Sequence, residues 1–241
     1  MCTATYLPLS PTGFILTHSR DEKAIRPSAL LPEGVQIGDF RVTFPRDPQG
    51  HGTWIAASTE MTVCLLNGGF VPHLPQPPYR HSRGLVPLHV FTYSSIQAFA
   101  DAYDFAGVEP FTLLALESDR LTELRWTGRR LFIHDKDPKR PHIWSSVTLY
   151  TPEVIEKREA WFRNWQLSHP NPSVADIRAF HQFTGDGDRE NALRMNRNNE
   201  LFTVSLTSVV HRPDQTEMIY QDFVQQLVRQ IPIHESAYAT A

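Results

Sequence analysis

The sequence has little cysteine and no segment suited to crossing a membrane. Its 241 residues include only two cysteines, Cys2 and Cys64, so a disulfide framework is not expected and a reducing compartment suits the thiols. The N-terminus lacks the basic and then apolar run of a secretion signal, and no apolar stretch approaches bilayer-spanning length. These absences predict a cytoplasmic protein without a membrane span.

Neither sign of charge is strongly in excess. The chain has 23 lysines and arginines against 26 aspartates and glutamates, a formal net charge of -3. The basic residues are scattered and form no stripe along a helix, so no electrostatic footprint for nucleic acid is present. The partner we expect is therefore a small-molecule substrate or ligand, with no nucleic acid involved.

Motifs for metals and phosphate-bearing cofactors are also missing. None of the eleven histidines has the spacing of an HxH or HExxH motif, and there is no glycine-rich phosphate loop. The segment Gly185-Asp186-Gly187 resembles a calcium loop only superficially, because the series of oxygen ligands does not follow it. We expect neither a metal nor a cofactor.

The most informative stretch is the first two dozen residues. Two apolar runs, residues 3–9 and 14–19, flank a Ser-Pro-Thr-Gly turn and predict a β-hairpin. A hairpin at that turn pairs positions whose numbers sum to roughly 23, within a residue or two. Local geometry alone then places the thiol of Cys2 beside Arg20 and Asp21.

A cysteine at the second position offers a specific chemistry. Because its side chain is small, Met1 is expected to be trimmed, which leaves a cysteine with its own α-amine. That amine has an ordinary pKa of about 7.7–8.0, so it can accept the thiol proton near neutral pH. Arg20 would favour the thiolate, and Asp21 would hold the arginine or the ammonium. The competing interpretation is a cysteine without a role beside a solvated strand end.

Several segments, in order, resemble a known family. They are Ser19-Arg20-Asp21-Glu22, Arg26-Pro27-Ser28, Gly52-Thr53-Trp54-Ile55, Leu66-Asn67, Ser82-Arg83-Gly84 and Thr151-Pro152. Together with the opening Met-Cys, this set resembles the Asn-Arg-Asp-Glu motif family, also called the transport and Golgi organisation 2 family. The resemblance is good over the first two thirds of the chain and weaker beyond.

That family is in turn similar to the cysteine-type N-terminal-nucleophile hydrolases, which include amidases and acyltransferases. The resemblance implies an α+β fold, a four-layer αββα sandwich in which helices cover two stacked, mostly antiparallel sheets. It also implies a mature N-terminal cysteine as nucleophile, followed by an arginine and an aspartate at about the spacing of Arg20 and Asp21.

Asn67 is the candidate oxyanion donor. In Asn67-Gly68-Gly69 the chain can turn sharply while offering a side-chain amide and exposed backbone N–H groups. An ordinary Asn-Gly turn is the alternative, and the resemblance favours the functional interpretation.

The chain departs from the family pattern at two positions, where Ser19 and Ser146 stand in place of asparagines. If the second asparagine orients the α-amine or the substrate, Ser146 must serve as a shorter hydrogen-bonding group in substrate binding. Either change is compatible with an altered substrate or with lost catalysis.

No internal repeat or linker divides the chain, so we predict one domain over residues 1–232 and a C-terminal tail over 233–241. Periodicity and capping signals predict helices over 82–91, 94–105, 152–167 and 173–183. Short strands are predicted elsewhere, including 111–116, 121–126, 130–134, 143–149, 201–210 and 217–223. The proline-rich residues 70–79 form either an apolar lip over the pocket or a surface crossover.

The leading hypothesis is an N-terminal cysteine hydrolase that cleaves a non-peptide carbon–nitrogen amide bond of a small, acylated molecule. Cys2 would be the nucleophile and Asn67 the oxyanion donor. The rival is a non-catalytic binding or trafficking protein that uses the same pocket for a hydrophobic ligand. The two hypotheses differ in whether Cys2 is reactive.

Overall fold

The computed structural model describes residues 2–9 and 12–234, and within these ranges it contains two antiparallel sheets and four α-helices. The first sheet contains β1 (Cys2–Leu9), β2 (Gly13–Lys23), β10 (His142–Ser145), β11 (Asn196–Arg197), β12 (Leu201–Arg212), β13 (Gln215–Asp222) and β14 (Leu227–Ile233). The second contains β3 (Leu30–Ile37), β4 (Phe40–Arg46), β5 (Ile55–Ala57), β6 (Met61–Asn67), β7 (Phe111–Glu117), β8 (Arg120–Trp126) and β9 (Leu131–Lys136). The helices are α1 (Val86–Val90), α2 (Ile96–Ala102), α3 (Pro152–Ser168) and α4 (Val174–Phe183).

The two sheets differ in how the chain builds them. The second sheet is a meander in which β3 to β9 lie side by side in chain order, with α1 and α2 inserted between β6 and β7. The first sheet has the order β10-β1-β2-β12-β13-β14, and β11 pairs with β12. The β1–β2 hairpin therefore lies between β10 and β12, two strands that come from the second half of the sequence.

Three apolar layers separate four layers of secondary structure. The middle layer joins side chains of both sheets, among them Ala4 and Leu16 from the first and Leu66 and Leu114 from the second. A second layer packs α1 and α2 against the outer face of the second sheet. A third packs α3 and α4 against the outer face of the first sheet. The predicted α+β sandwich, with helices outside two stacked antiparallel sheets, is confirmed.

The opening hairpin has the predicted arrangement, but the numbers of its paired residues sum to one less than predicted. Cys2 lies directly opposite Arg20 in the antiparallel β1–β2 pair, so paired positions sum to 22 instead of 23. Side chains alternate along a strand, and Cys2 and Leu16 belong to the layer between the sheets, whereas Ile15 faces the helices. Arg20 therefore shares the face of Cys2, and Asp21 points the other way. Ser10 and Pro11 of the predicted turn lie outside the described residues.

The chain departs from the predicted elements in three places. The strand expected over 143–149 ends at Ser145, because the backbone N–H groups of Leu149 and Tyr150 turn back to the Ser146 carbonyl. The prediction missed β14, an edge strand in which Pro232 is tolerated because edge strands have unpaired N–H positions. Ile233, taken as the start of a tail, is buried in β14, and residues 235–241 lie outside the described ranges.

The helices agree well with the capping signals. Ser95 and Ser173 are the N-caps of α2 and α4, and Ser173 forms the expected capping box with Asp176. Pro152 occupies the first turn of α3, although the preceding Thr151 makes no side-chain cap. Of the helices in residues 2–9 and 12–234, none is long and apolar enough to cross a bilayer.

Candidate active site

Cys2 begins a central strand and lines a small cavity at one end of the sandwich. Its side chain is 3% exposed, and the cavity has a volume of about 140 Å³. The cavity is also lined by Arg20 and Glu22 from β2, Asn67 from β6, Trp54, and the backbone of glycine-rich loops. Three of the five residues predicted for the site, Cys2, Arg20 and Asn67, therefore meet at one cavity.

Arg20 is held in place by residues from the second sheet. Its guanidinium carbon lies 4.3 Å from the centre of the Trp54 ring, a cation–π contact. Its Nη2 donates to Asp47 Oδ2 at 2.7 Å and lies 3.4 Å from Glu22 Oε2. With 5% of its surface exposed, the arginine is a fixed wall of the cavity.

Asp47 organises this part of the site, although no motif in the sequence singled it out. One carboxylate oxygen accepts the backbone N–H groups of Gln49 and Gly50, and the other accepts both Arg20 and Arg26. Burial alone would raise the pKa of Asp47, but the two N–H donors and then the two arginines outweigh it, so this pKa is lowered. An aspartate that accepts the backbone N–H two residues on forms an Asx turn, and this local signal could have located the loop but not its role.

The loop that carries Asp47 packs against the loop at Gly84 so closely that a side chain at position 52 would collide with the Gly84 backbone. A Cβ on Gly52 would lie 2.2 Å from the Gly84 carbonyl, and Thr53 donates its backbone N–H to that carbonyl at 2.7 Å. Glycine is needed at position 52 because the two backbones are in direct contact. This contact sets one wall of the cavity.

Asp21 lies on the opposite face of β2 from Arg20. Its carboxylate is fully buried and accepts hydrogen bonds from Tyr150 Oη and, at 2.6 Å, from Thr203 Oγ1. Burial raises its pKa, against the charge of Arg158 and these two hydrogen bonds. Asp21 reaches Cys2 through its backbone N–H, which hydrogen-bonds the thiol. The counter-ion of Arg20 within the cavity is Asp47, which sequence reasoning missed.

A buried arginine in α3 supports Asp21 from below the sheet. Arg158 is completely buried, lies 3.6 Å from the Tyr150 ring centre, and donates to Thr3 Oγ1 and to the carbonyls of Asn191 and Ala192. These contacts tie the start of β1 to the chain after α4. No pattern in the sequence distinguished Arg158 from the exposed charges of its helix.

Ser19, the first departure from the family pattern, does not face the cavity. Its hydroxyl contacts His181 Nδ1 at 2.8 Å, and the other ring nitrogen of His181 contacts Thr5 Oγ1 at 2.8 Å. Burial, followed by the charges of Arg178 and Arg158, lowers the pKa of His181 to about 3. The Ser19 change therefore belongs to the packing between the first sheet and α4.

Ser146 links the two ends of the proposed catalytic apparatus. Its backbone N–H donates to the Cys2 carbonyl at 2.9 Å, and its hydroxyl donates to the Asn67 carbonyl at 2.8 Å. It is 1% exposed and is not among the residues that line the cavity. The predicted role in substrate binding is not supported by this position, because the hydroxyl is already bonded to Asn67.

Asn67 ends β6 at the cavity, and the residue after it must be glycine. Gly68 has a φ of +88°, and a Cβ there would lie 2.6 Å from Val147 Cγ2. Its left-handed backbone turns the chain sharply against the segment that follows Ser146. Asn67 thereby lines the same cavity as Cys2.

Packing removes the Cys2 thiol from water, and burial raises its pKa above the ordinary value. The charge of Arg20 is paired with Asp47 at the cavity wall. That Arg20 favours the thiolate once Met1 is removed stays a prediction. Cys64, the other thiol, is buried in the middle of β6, and burial also raises its pKa.

Arg83 is a further charged residue at the cavity. Its Nη2 lies 3.1 Å from Glu109 Oε2, and Nη1 donates to the Pro110 carbonyl at 3.1 Å. Burial lowers its pKa, while the charge of Glu109 and, more weakly, those of Tyr79 and Cys2 act in the opposite direction. Its segment was noticed only through the family resemblance, without a role.

The proline-rich residues 70–79 do not line this cavity, but they are connected to it. His73 contacts the free carboxylate oxygen of Glu109 at 3.0 Å, and Glu109 pairs with Arg83. Phe70 and Leu74 in this segment are exposed. A surface crossover describes the segment better than a lip.

A larger cavity of about 690 Å³ lies elsewhere, around Tyr6, Leu9 and Phe14. These residues are at the other end of β1, and one strand of eight residues at about 3.4 Å per residue separates them from Cys2. None of the predicted site residues lines it. We place the chemistry at the smaller cavity because the nucleophile and donor candidates are there. In the described ranges, no group of three or more His, Cys, Asp or Glu side chains is arranged to hold a metal ion.

The fold and the site together define the class of protein: an α+β sandwich with a cysteine at the start of a strand inside the first sheet. The family model described as Transport and Golgi organisation 2 matches residues 1–240. The chain belongs to this family over its whole length, beyond the two thirds in which the sequence segments were recognised. A search of the curated proteins found no match to the chain.

Proposed function

We propose that the protein is an N-terminal cysteine hydrolase that cleaves a carbon–nitrogen amide bond of a small substrate, with Cys2 as nucleophile. The observation that carries the proposal is the meeting of Cys2, Arg20 and Asn67 at one cavity of about 140 Å³. The family supplies the precedent for the fold, and the geometry supplies a thiol, an amide donor and a charged wall. The small-molecule substrate and the cytoplasmic location are part of the same proposal.

The reaction would begin once Met1 has been removed. The freed α-amine accepts the thiol proton as the sulfur attacks the substrate carbonyl, which agrees with a thiol that burial keeps protonated at rest. A carbon–sulfur bond forms and the carbonyl oxygen becomes an oxyanion. The carbon–nitrogen bond then breaks, and the amine leaves with the proton from the α-ammonium. Water, deprotonated by the same amine, hydrolyses the thioester.

The remaining residues position these groups. The Asn67 side-chain amide would donate to the oxyanion, a contribution typically worth about a hundredfold or more in rate. Ser146 would hold Asn67 and Cys2 at a fixed separation, since it bonds both carbonyls. Arg20 would set the charge at the cavity wall, and Asp21 would orient the thiol through its backbone N–H and hold the α-ammonium on the other side.

The binding-protein alternative is less well supported at this cavity. Its lining includes Arg20, Arg26 and Arg83 with Glu22 and Asp47, a setting that favours polar over hydrophobic ligands. A volume of about 140 Å³ is also below the roughly 300–1,000 Å³ of cavities that enclose drug-sized ligands. A hydrophobic ligand would have to bind elsewhere.

The test compares two forms of the purified protein. One carries the trimmed N-terminus, verified by intact mass, and the other retains an N-terminal extension that converts the α-amine into a peptide nitrogen. Near neutral pH, iodoacetamide should label Cys2 faster in the trimmed form, and faster than Cys64. Asn67→Ala should leave this labelling intact but reduce turnover on any amide substrate found. Cys2→Ser should abolish most of the turnover. Equal labelling of Cys2 in the two forms would refute the role of the α-amine.

A further inference from the structure

Three arginines, Arg20, Arg26 and Arg83, line the cavity at Cys2 together with the carboxylates of Glu22 and Asp47. Asp47 is the shared counter-ion of Arg20 and Arg26, and Glu109, which is not part of the lining, pairs with Arg83. Because nearby carboxylates balance their charges, the arginines offer a ligand hydrogen-bond donors in fixed positions.

Arg83 and Arg26 both retain donors after their protein contacts are counted. A guanidinium has five N–H groups. Within residues 2–9 and 12–234, Arg83 uses Nη1 for the Pro110 carbonyl and Nη2 for Glu109. Arg26 uses Nη1 for Asp47, and its Nε lies 3.8 Å from Glu22. The side chains are 15% and 35% exposed, so each combines a fixed position with access to the cavity.

We propose that the substrate carries an anionic group, a carboxylate or a phosphate, that binds Arg83 and Arg26 while its amide carbon meets Cys2. Planar guanidinium groups bind these anions through two parallel hydrogen bonds. This inference rests on the proposed function, and it narrows the substrate from a small acylated molecule to a short, negatively charged amide. A cavity volume of about 140 Å³ favours a short acyl group over a long acyl chain.

Two alkylating reagents of almost equal size test the charge preference directly. Iodoacetate and iodoacetamide react alike at a thiol: the sulfur–carbon bond forms, the carbon–iodine bond breaks, iodide leaves and the thiol proton passes to the amine or the buffer. Only iodoacetate is negatively charged. In the trimmed protein, the ratio of the iodoacetate rate to the iodoacetamide rate at Cys2 should exceed the ratio for glutathione by about tenfold or more, and high salt should reduce it.

Variants assign the preference to the two arginines. Arg83→Gln should lower the ratio by about tenfold, equivalent to about 1.4 kcal/mol, whereas Arg83→Lys should retain most of it. Arg26→Gln should act in the same direction. Arg163→Gln, an exposed arginine on the outer face of α3, is the matched control and should leave the ratio unchanged. A ratio equal to that of glutathione, or one that neither cavity variant alters, would overturn the inference.

Calorimetry provides a measurement that needs no reaction at Cys2. Acetate should bind the trimmed protein more tightly than acetamide, and Arg83→Gln should remove the difference. Protection of Cys2 by acetate or by inorganic phosphate identifies which anion the cavity prefers, and protection by neither counts against the inference. The outcomes distinguish the two proposals. If Cys2 prefers the anionic reagent but is labelled equally fast in the trimmed and the extended protein, the anion site is supported and the role of the α-amine is refuted.

Discussion

The Ser146 hydroxyl donates a hydrogen bond to the Asn67 carbonyl at 2.8 Å, and this contact crosses from one sheet to the other. Because the Ser146 backbone N–H also binds the Cys2 carbonyl, the residue sets the separation of the proposed nucleophile and oxyanion donor. A serine thus performs this spacing in a position where the family pattern has an asparagine.

Ser146→Ala should lower the free energy of unfolding by about 1–3 kcal/mol, since the buried Asn67 carbonyl loses its hydroxyl donor. Urea denaturation gives this value. Ser145→Ala is the matched control, because the Ser145 hydroxyl makes only a 3.4 Å contact with Thr3, and it should cost less. Equal losses in the two variants would contradict the structural role of the Ser146 hydroxyl.

Asp47→Asn should isolate the charge of Asp47, because an asparagine keeps an oxygen for the two backbone donors. We expect a loss of about 1–3 kcal/mol at pH 7, where Arg20 and Arg26 lose their shared counter-ion. The lowered pKa of Asp47 means that its contribution is present above the unfolded pKa of about 3.9 and is lost as pH falls through the folded value. The stability curves of wild type and variant should therefore converge as pH falls below the unfolded pKa of about 3.9.

The control for that series is Asp39→Asn, which changes an exposed aspartate and should shift stability by less than about 0.5 kcal/mol. A constant difference between wild type and Asp47→Asn from pH 7 to pH 3 would show that the carboxylate charge has no role in stability.

Arg158→Met should be among the most destabilising substitutions in the chain. It would remove the donors to two carbonyls and the positive charge that acts most strongly on Asp21, and each buried carbonyl left without its donor costs about 1–3 kcal/mol. Arg163→Ala in the same helix changes a 66% exposed side chain and should stay within about 0.5 kcal/mol. Thermal or urea unfolding of the pair checks this, and similar losses would contradict it.

His181 should make the protein less stable in acid. Its folded pKa of about 3 lies below an unfolded value of about 6.5, so between these values the unfolded chain binds a proton that the native state does not. The free energy of unfolding should then fall as pH falls, by up to about 1.4 kcal/mol per pH unit from this one residue. Urea denaturation from pH 7 to pH 4 measures the slope.

His181→Gln removes the titration and keeps an amide between the hydroxyls of Thr5 and Ser19. The variant should be less stable than wild type at pH 7, and the difference should narrow as pH falls. Parallel stability curves for the two proteins would assign the acid loss to other groups.

The sequence by itself determined the local geometry of the site. A two-strand hairpin has a register fixed by its turn and alternating side chains, so Cys2 and Arg20 were placed together within one residue of the observed pairing. Capping residues likewise located helices such as α4, because a cap is satisfied by atoms only three residues away. Asn67 at the end of a buried strand was identified from its Asn-Gly-Gly signature and the family resemblance.

Only the tertiary structure decided which distant side chains complete the site. Asp47 and Arg83 reach Cys2 from loops of the second sheet, and Arg158 reaches Asp21 from α3. No local period encodes these contacts, since they depend on how two sheets and their helices stack. Burial was decided in the same way, because packing removes water from the Cys2 thiol and raises its pKa, and because Asp47 pairs with the arginine that the hairpin places beside this thiol.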